Sequence, residues 1–79
     1  MAKKIYVEVI AKFKTDGTMR PLSIIWENGR EYKIQKVMDI RPAASLKAGG
    51  VGIRYTVIIE NKERYLFLEE DKWFLEGKE

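Results

Sequence analysis

Apolar and polar residues alternate with a period of two along most of the chain. Ile5, Val7, Val9, Ala11 and Phe13 fall on one face of the first run, and Glu8, Lys12 and Lys14 fall on the other with Tyr6 and Ile10. That pattern predicts a half-buried strand of about ten residues. Thr15-Asp16-Gly17-Thr18 supplies the turn after it, with Gly17 suited to a left-handed backbone. A second strand is predicted from Leu22 to Glu27, opened by Pro21, where a missing N–H is tolerated. Asn28-Gly29 then gives a strong hairpin signal. The third run spans Arg30 to Arg41; its alternation slips between Ile34 and Val37, which predicts a bulge. Pro42 ends that run, and Pro42 to Gly52 reads as a loop with at most one short helical turn over 43–48. Ile53 to Glu60 and Glu63 to Leu68 form the fourth and fifth strands around Asn61-Lys62. After a turn over Glu69 to Lys72, Trp73 to Glu76 makes a short last strand.

Two hairpins can be taken further. A two-residue loop at Asn61-Lys62 sets Val57 opposite Leu66 and Ile59 opposite Arg64. Tyr55, Val57, Ile59, Leu66 and Leu68 then share one face, while Thr56, Ile58, Tyr65 and Phe67 share the other. Both faces are largely apolar, so this sheet calls for a second sheet, a closed barrel or a partner chain. A two-residue loop at Asn28-Gly29 sets Trp26 opposite Glu31 and Ile24 opposite Lys33, which places Trp26 on a half-polar face with Lys33. Trp73 and Phe74 point to opposite sides of the last strand, one closing the core and the other free to mark an interface. Five to six short, mostly antiparallel strands with no helix of any length predict a single all-β domain over 1–79, a small SH3-like barrel.

Composition narrows the chemistry. The chain has 79 residues with neither cysteine nor histidine. Thiol nucleophiles, zinc–thiolate sites, imidazole bases and disulfide staples are therefore excluded. The acidic run Glu69-Glu70-Asp71 lacks the spacing and glycine pivot of a calcium loop, so no metal and no cofactor is expected. Asp39 is the one acid embedded in an apolar strand, and the remaining carboxylates sit mostly at turns or strand ends; a non-enzymatic protein is the expectation. No apolar run is long enough for a signal peptide or a membrane span, and a cytoplasmic location is expected.

Charge is divided unevenly. Residues 1–54 hold 11 basic and 5 acidic groups, while residues 55–79 hold 4 and 7. No acid lies between Ile40 and Ile59, a window that includes Arg41, Ser45, Lys47, Gly49, Gly50, Gly52 and Arg54. Glycines let backbone N–H groups approach an anion and arginine or lysine adds charge, which makes these seven residues the candidate anion or nucleic-acid site. No Walker motif is present. The competing reading is a plain inter-strand loop with solvated basic residues. Trp26, Lys33 and Trp73 are candidates for base stacking or for an interface; the competing reading has a lysine stem covering Trp26 at the surface, or Trp26 in the core. Nucleic acid is thus the leading expected partner. A homodimer or other protein contact through an apolar face or strand edge is the alternative, and a phosphorylated small ligand at the glycine loop the third.

The stretches Pro21 to Asp39, Ala43 to Tyr55 and Tyr65 to Phe74 together resemble a family of small, single-domain, all-β proteins from clostridia-type Gram-positive bacteria. The resemblance implies a small β domain and brings no established activity, so no functional residue carries over. The region from Trp26 to Asp39 and the final strands are also similar to small β domains that accompany DNA-repair polymerases.

Overall fold

The computed structural model describes residues 2–44 and 51–78. Six strands follow one another: β1 (Ala2–Phe13), β2 (Met19–Ile25), β3 (Glu31–Ala44), β4 (Val51–Ile59), β5 (Lys62–Glu69) and β6 (Lys72–Lys78). Each pairs antiparallel with the next, and β6 returns to β1, so the sheet closes into a barrel. A strictly sequential order contains no Greek-key crossover, which sets this small SH3-like barrel apart from the OB pattern. Among the described residues there is no helix, and so none long and apolar enough to cross a membrane.

Two strands change partners half-way along. Residues 2–7 of β1 pair with β6 and residues 8–13 with β2. Residues 31–33 of β3 pair with β2, and the rest pairs with β4. The slip read between Ile34 and Val37 is a pair of irregularities, at Ile34/Lys36 and Val37/Asp39, that bend β3 at this corner. A matching irregularity opposite Ile10/Ala11 leaves Leu22 as the extra residue on β2. Pro21 therefore sits inside β2, fully buried, rather than at its start. Pro42 does not end β3 either: the strand runs on to Ala44, with Pro42 opposite Ile53. No β2 residue pairs with that part of β3, so Pro42 lies where β3 has a strand on one side only, the setting in which a sheet tolerates proline. In the region 43–48, where at most one short helical turn was expected, Ala43 and Ala44 belong to β3; positions 45–48 lie outside the described residues.

Two turn types set the registers. Thr15-Asp16-Gly17 and Glu27-Asn28-Gly29 are both three-residue loops. In each, the residue before the loop donates its N–H to the carbonyl after it (Lys14 to Thr18, Trp26 to Arg30) and accepts from the loop glycine, which stands at φ +88° in Gly17 and +85° in Gly29. This is a type I turn followed by a glycine bulge. The acceptor side chains reinforce it: Asn28 Oδ1 takes the Arg30 N–H at 2.9 Å, and Asp16 Oδ1 takes the Thr18 hydroxyl and N–H. Those bonds, the hydroxyl first, hold the exposed Asp16 carboxyl below its ordinary value. The loop at Asn28-Gly29 is thus one residue longer than expected, and a slip of one residue exchanges the faces. Ile24 lies opposite Tyr32, and Trp26 packs inward against the core. The other two hairpins turn on Glu60-Asn61 and Glu70-Asp71, all four residues at φ between 49° and 65°, the two-residue geometry in which both positions are left-handed. The first of these shifts the expected β4–β5 register by two residues, setting Tyr55 opposite Leu66. A shift of two preserves the faces, so that sheet's face assignment stands.

The interior is filled by Ile24, Tyr55, Val57, Ile59, Leu66 and Leu75, with Val7, Val9, Trp26, Tyr32 and Trp73 against them. Each fully buried aliphatic stabilises the fold by about 1.5–3 kcal/mol. Tyr55 does a second job. Its hydroxyl crosses from β4 to donate to the Met19 carbonyl on β2 at 3.1 Å, spanning the corner where β2 and β3 part.

Replacing Tyr55 by Phe removes that bond and leaves the carbonyl behind; denaturant unfolding should show a loss of about 1 kcal/mol. Burial also raises the Tyr55 phenol above its ordinary 10.0. The neutral form is the native one, so its contribution is complete below pH 10 and is lost as pH climbs through the raised value. Tyr55→Phe should flatten that alkaline decline. At the β5–β6 turn, Glu70→Asn with Asp71→Gly relieves two left-handed side chains and should raise stability by about 1 kcal/mol in the same assay.

Candidate nucleic-acid interface

Alternation sends every second side chain outward, and on five neighbouring strands those outward residues form a row. Arg41 on β3 lies opposite Arg54 on β4, Arg54 opposite Phe67 on β5, Phe67 opposite Phe74 on β6, and Phe74 opposite Tyr6 on β1. The rings touch across the strands. Phe67 and Phe74 stack at 5.0 Å with 6° between their planes, and Tyr6 meets Phe74 edge-on at 5.7 Å. Lys4 caps the end of the row, its Nζ 4.8 Å from the Phe74 centroid and 3.3 Å from Glu69 Oε1. Phe74 is only 4% exposed although it points away from the barrel, because its neighbours on the outer face cover it. Trp73, on the other side of the strand, closes the core against Tyr55 at 5.4 Å.

At the β4–β5 end the row is open. Arg54 lays its guanidinium 4.9 Å from the centroid of Tyr65, itself 41% exposed. Its Nε is buried without a hydrogen-bond partner, and among the described residues no carboxylate lies within 4 Å of this side chain. Stacking rather than ion pairing holds it, which leaves the guanidinium charge unspent. Arg41 by contrast pairs with Asp39. Both partners are well exposed, so that pair exchanges readily with another anion. Lys36, opposite Ile58, extends the basic strip along β3. Two acids belong to this side, Asp39 beside Arg41 and Glu63 in the row of Lys36 and Ile58, while Glu8 on β1, Glu69 on β5 and Glu76 on β6 lie away from the Arg41–Arg54 pair. The part suited to an anion is therefore the β3–β4 side, bounded by Tyr65 and Phe67.

The expected site residues fall into three groups. Arg41 and Arg54 come together as a cross-strand pair, which is the core of the candidate face. Gly52 is a buried strand residue opposite Ala43 rather than a loop glycine, and Ser45, Lys47, Gly49 and Gly50 lie outside the described residues. Trp26 and Lys33 separate: Lys33 points outward opposite Ser23, whereas Trp26 lines a hollow at one end of the barrel with Ile24, Tyr32, Lys62 and Arg64. Tyr65, Phe67, Phe74, Tyr6 and Lys4 were not singled out as a site from the sequence. The alternation of Tyr65 and Phe67 is visible there; that Phe74 and Tyr6 continue the row depends on long-range register. Among the described residues no cluster of three carboxylates is placed to hold a metal ion. Comparison with protein-family models, with curated proteins and with solved structures finds no match.

Scaffold and surface can be told apart by truncation. Phe74→Ala should cost about 3 kcal/mol in a thermal or urea melt, as for a buried aromatic. Tyr65→Ala, at an exposed position, should cost less than about 1 kcal/mol.

Proposed function

We propose that this protein is a non-enzymatic nucleic-acid-binding module that takes a single strand across the outer face of β3, β4 and β5. The observation that carries this reading is Arg54, a cation without a carboxylate partner among the described residues, stacked on an exposed tyrosine beside Phe67 in an open sheet face. Stacked aromatics give a base a sequence-tolerant platform, and flanking cations meet the backbone phosphates. Arg54, Arg41 and Lys36 supply the phosphate contacts; Tyr65 and Phe67 supply the stacking. A duplex fits less well, since its bases are already stacked and the acids of β1 and β6 would face its second strand. A cytoplasmic setting, where such a ligand is at hand, belongs to the same proposal.

Fluorescence anisotropy with labelled single-stranded and double-stranded oligonucleotides at several salt concentrations tests it. Three phosphate contacts on a single strand predict a log–log salt slope of about −2. Arg54→Gln should reduce the slope by about 0.7. Tyr65→Ala should cost about 1–3 kcal/mol of affinity while the fold stays intact. No binding at low salt, or binding indifferent to both substitutions, would remove the reading.

A further inference from the structure

The hand-over of β1 from β6 to β2 leaves part of its edge bare. β6 accompanies β1 only as far as Val7 opposite Trp73, and its chain turns away at Glu70-Asp71. From Glu8 to Phe13, β1 has β2 on one side and no strand among the described residues on the other. Such an edge presents N–H and C=O groups to any strand that arrives. Its side chains are uncovered too: Ile10 is 43% and Phe13 78% exposed. Neither Glu8 nor Lys12 makes an ion pair with any described residue.

We propose that this edge pairs with the same edge of a second copy of the chain, antiparallel about a two-fold axis at Ile10. A two-fold between antiparallel strands sets one residue opposite itself and matches the others symmetrically about it. Centred on Ile10, it puts Glu8 opposite Lys12 and Lys12 opposite Glu8, with Ile10 against Ile10 and Val9 against Ala11. Opposite charges then meet twice and like apolar groups meet in the middle. Neighbouring registers are worse. An axis at Ala11 also brings Glu8 to a lysine, but that lysine is Lys14, beyond the end of β1 and bonded into the turn, and both Ile10 residues then meet Lys12; an axis at Val9 asks for pairing at Val7, which Trp73 already holds. The favoured register also accounts for Phe13. Just beyond the last pair, each Phe13 reaches the groove between β1 and the β5–β6 turn of the other copy, a groove lined by Val7, Val9, Trp73 and Lys72. Edge lysines ordinarily repel a visiting strand; here Glu8, placed symmetrically about Ile10, makes Lys12 a partner for one visitor, the chain itself. The dimer buries β1 and leaves the β3–β4–β5 face free, so it stands or falls independently of nucleic-acid binding.

Sedimentation equilibrium of the full chain over a concentration series, with thermal melts of every variant, provides the test. The wild type should dimerise reversibly. Glu8→Lys sets lysine against lysine twice and should raise the dimer Kd about tenfold. Adding Lys12→Glu to that variant restores opposite charges at the wild-type net charge and should return the Kd to the wild-type value. A wild type that stays monomeric into the millimolar range would overturn the proposal. So would a Kd unmoved by Glu8→Lys, or a double variant as weak as Glu8→Lys although it melts like the wild type.

Discussion

Closure of the barrel depends on two strands that each serve two partners. If β1 paired along its whole length with β6, or β3 with β4, the result would be an open sheet, apolar on one side and without a core. The change of partner, at Val7/Glu8 in β1 and at Lys33/Ile34 in β3, lets a six-strand meander curl back on itself. The bulges lie close to these corners, where an extra residue bends the strand and increases its twist. Tyr55 ties the remaining gap by reaching across the interior to the Met19 carbonyl. A domain this small has little margin, so a polar bond that joins two strands not otherwise paired contributes to more than its own free energy.

The same closure creates the surface features. Once the inner face is filled, the outward residues of β4, β5, β6 and β1 have only one another, and Phe67, Phe74 and Tyr6 cover themselves by stacking across strands. At one end Lys4 and Glu69 complete that cover; at the other, Arg54 and Tyr65 remain open to a ligand. The bare length of β1 belongs to the change of partner as well: it is the edge that β6 leaves after Val7, opposite the edge that β2 takes. Fold and candidate binding surfaces thus share one cause.

Much of this was legible from residue order. The β1 pattern, with Ile5, Val7, Val9, Ala11 and Phe13 on one side, matches the observed alternation, and the slip after Ile34 marks the bend of β3. The faces of β4 and β5 were correct despite a misplaced turn, because Glu60-Asn61 moves the register by two. The loop at Asn28-Gly29 was a different matter. Its dipeptide suits both a two-residue and a three-residue loop, and only the second leaves Asn28 out of the left-handed region; the single-residue difference turned Trp26 from the surface to the core. In the candidate face, Arg41 and Arg54 were visible as basic residues in an acid-free window, but their pairing across β3 and β4 was not.

By itself, the sequence determined that the chain is all-β and holds no cysteine or histidine, since period-two alternation and residue inventory are local properties. Tertiary structure alone decided which outward residues stand side by side. Tyr6 and Phe74 are far apart in the chain and belong to different patterns, and only the β1–β6 pairing that closes the barrel brings them together. Contacts between strands depend on register, and register is settled by loop length, bulges and closure acting at once.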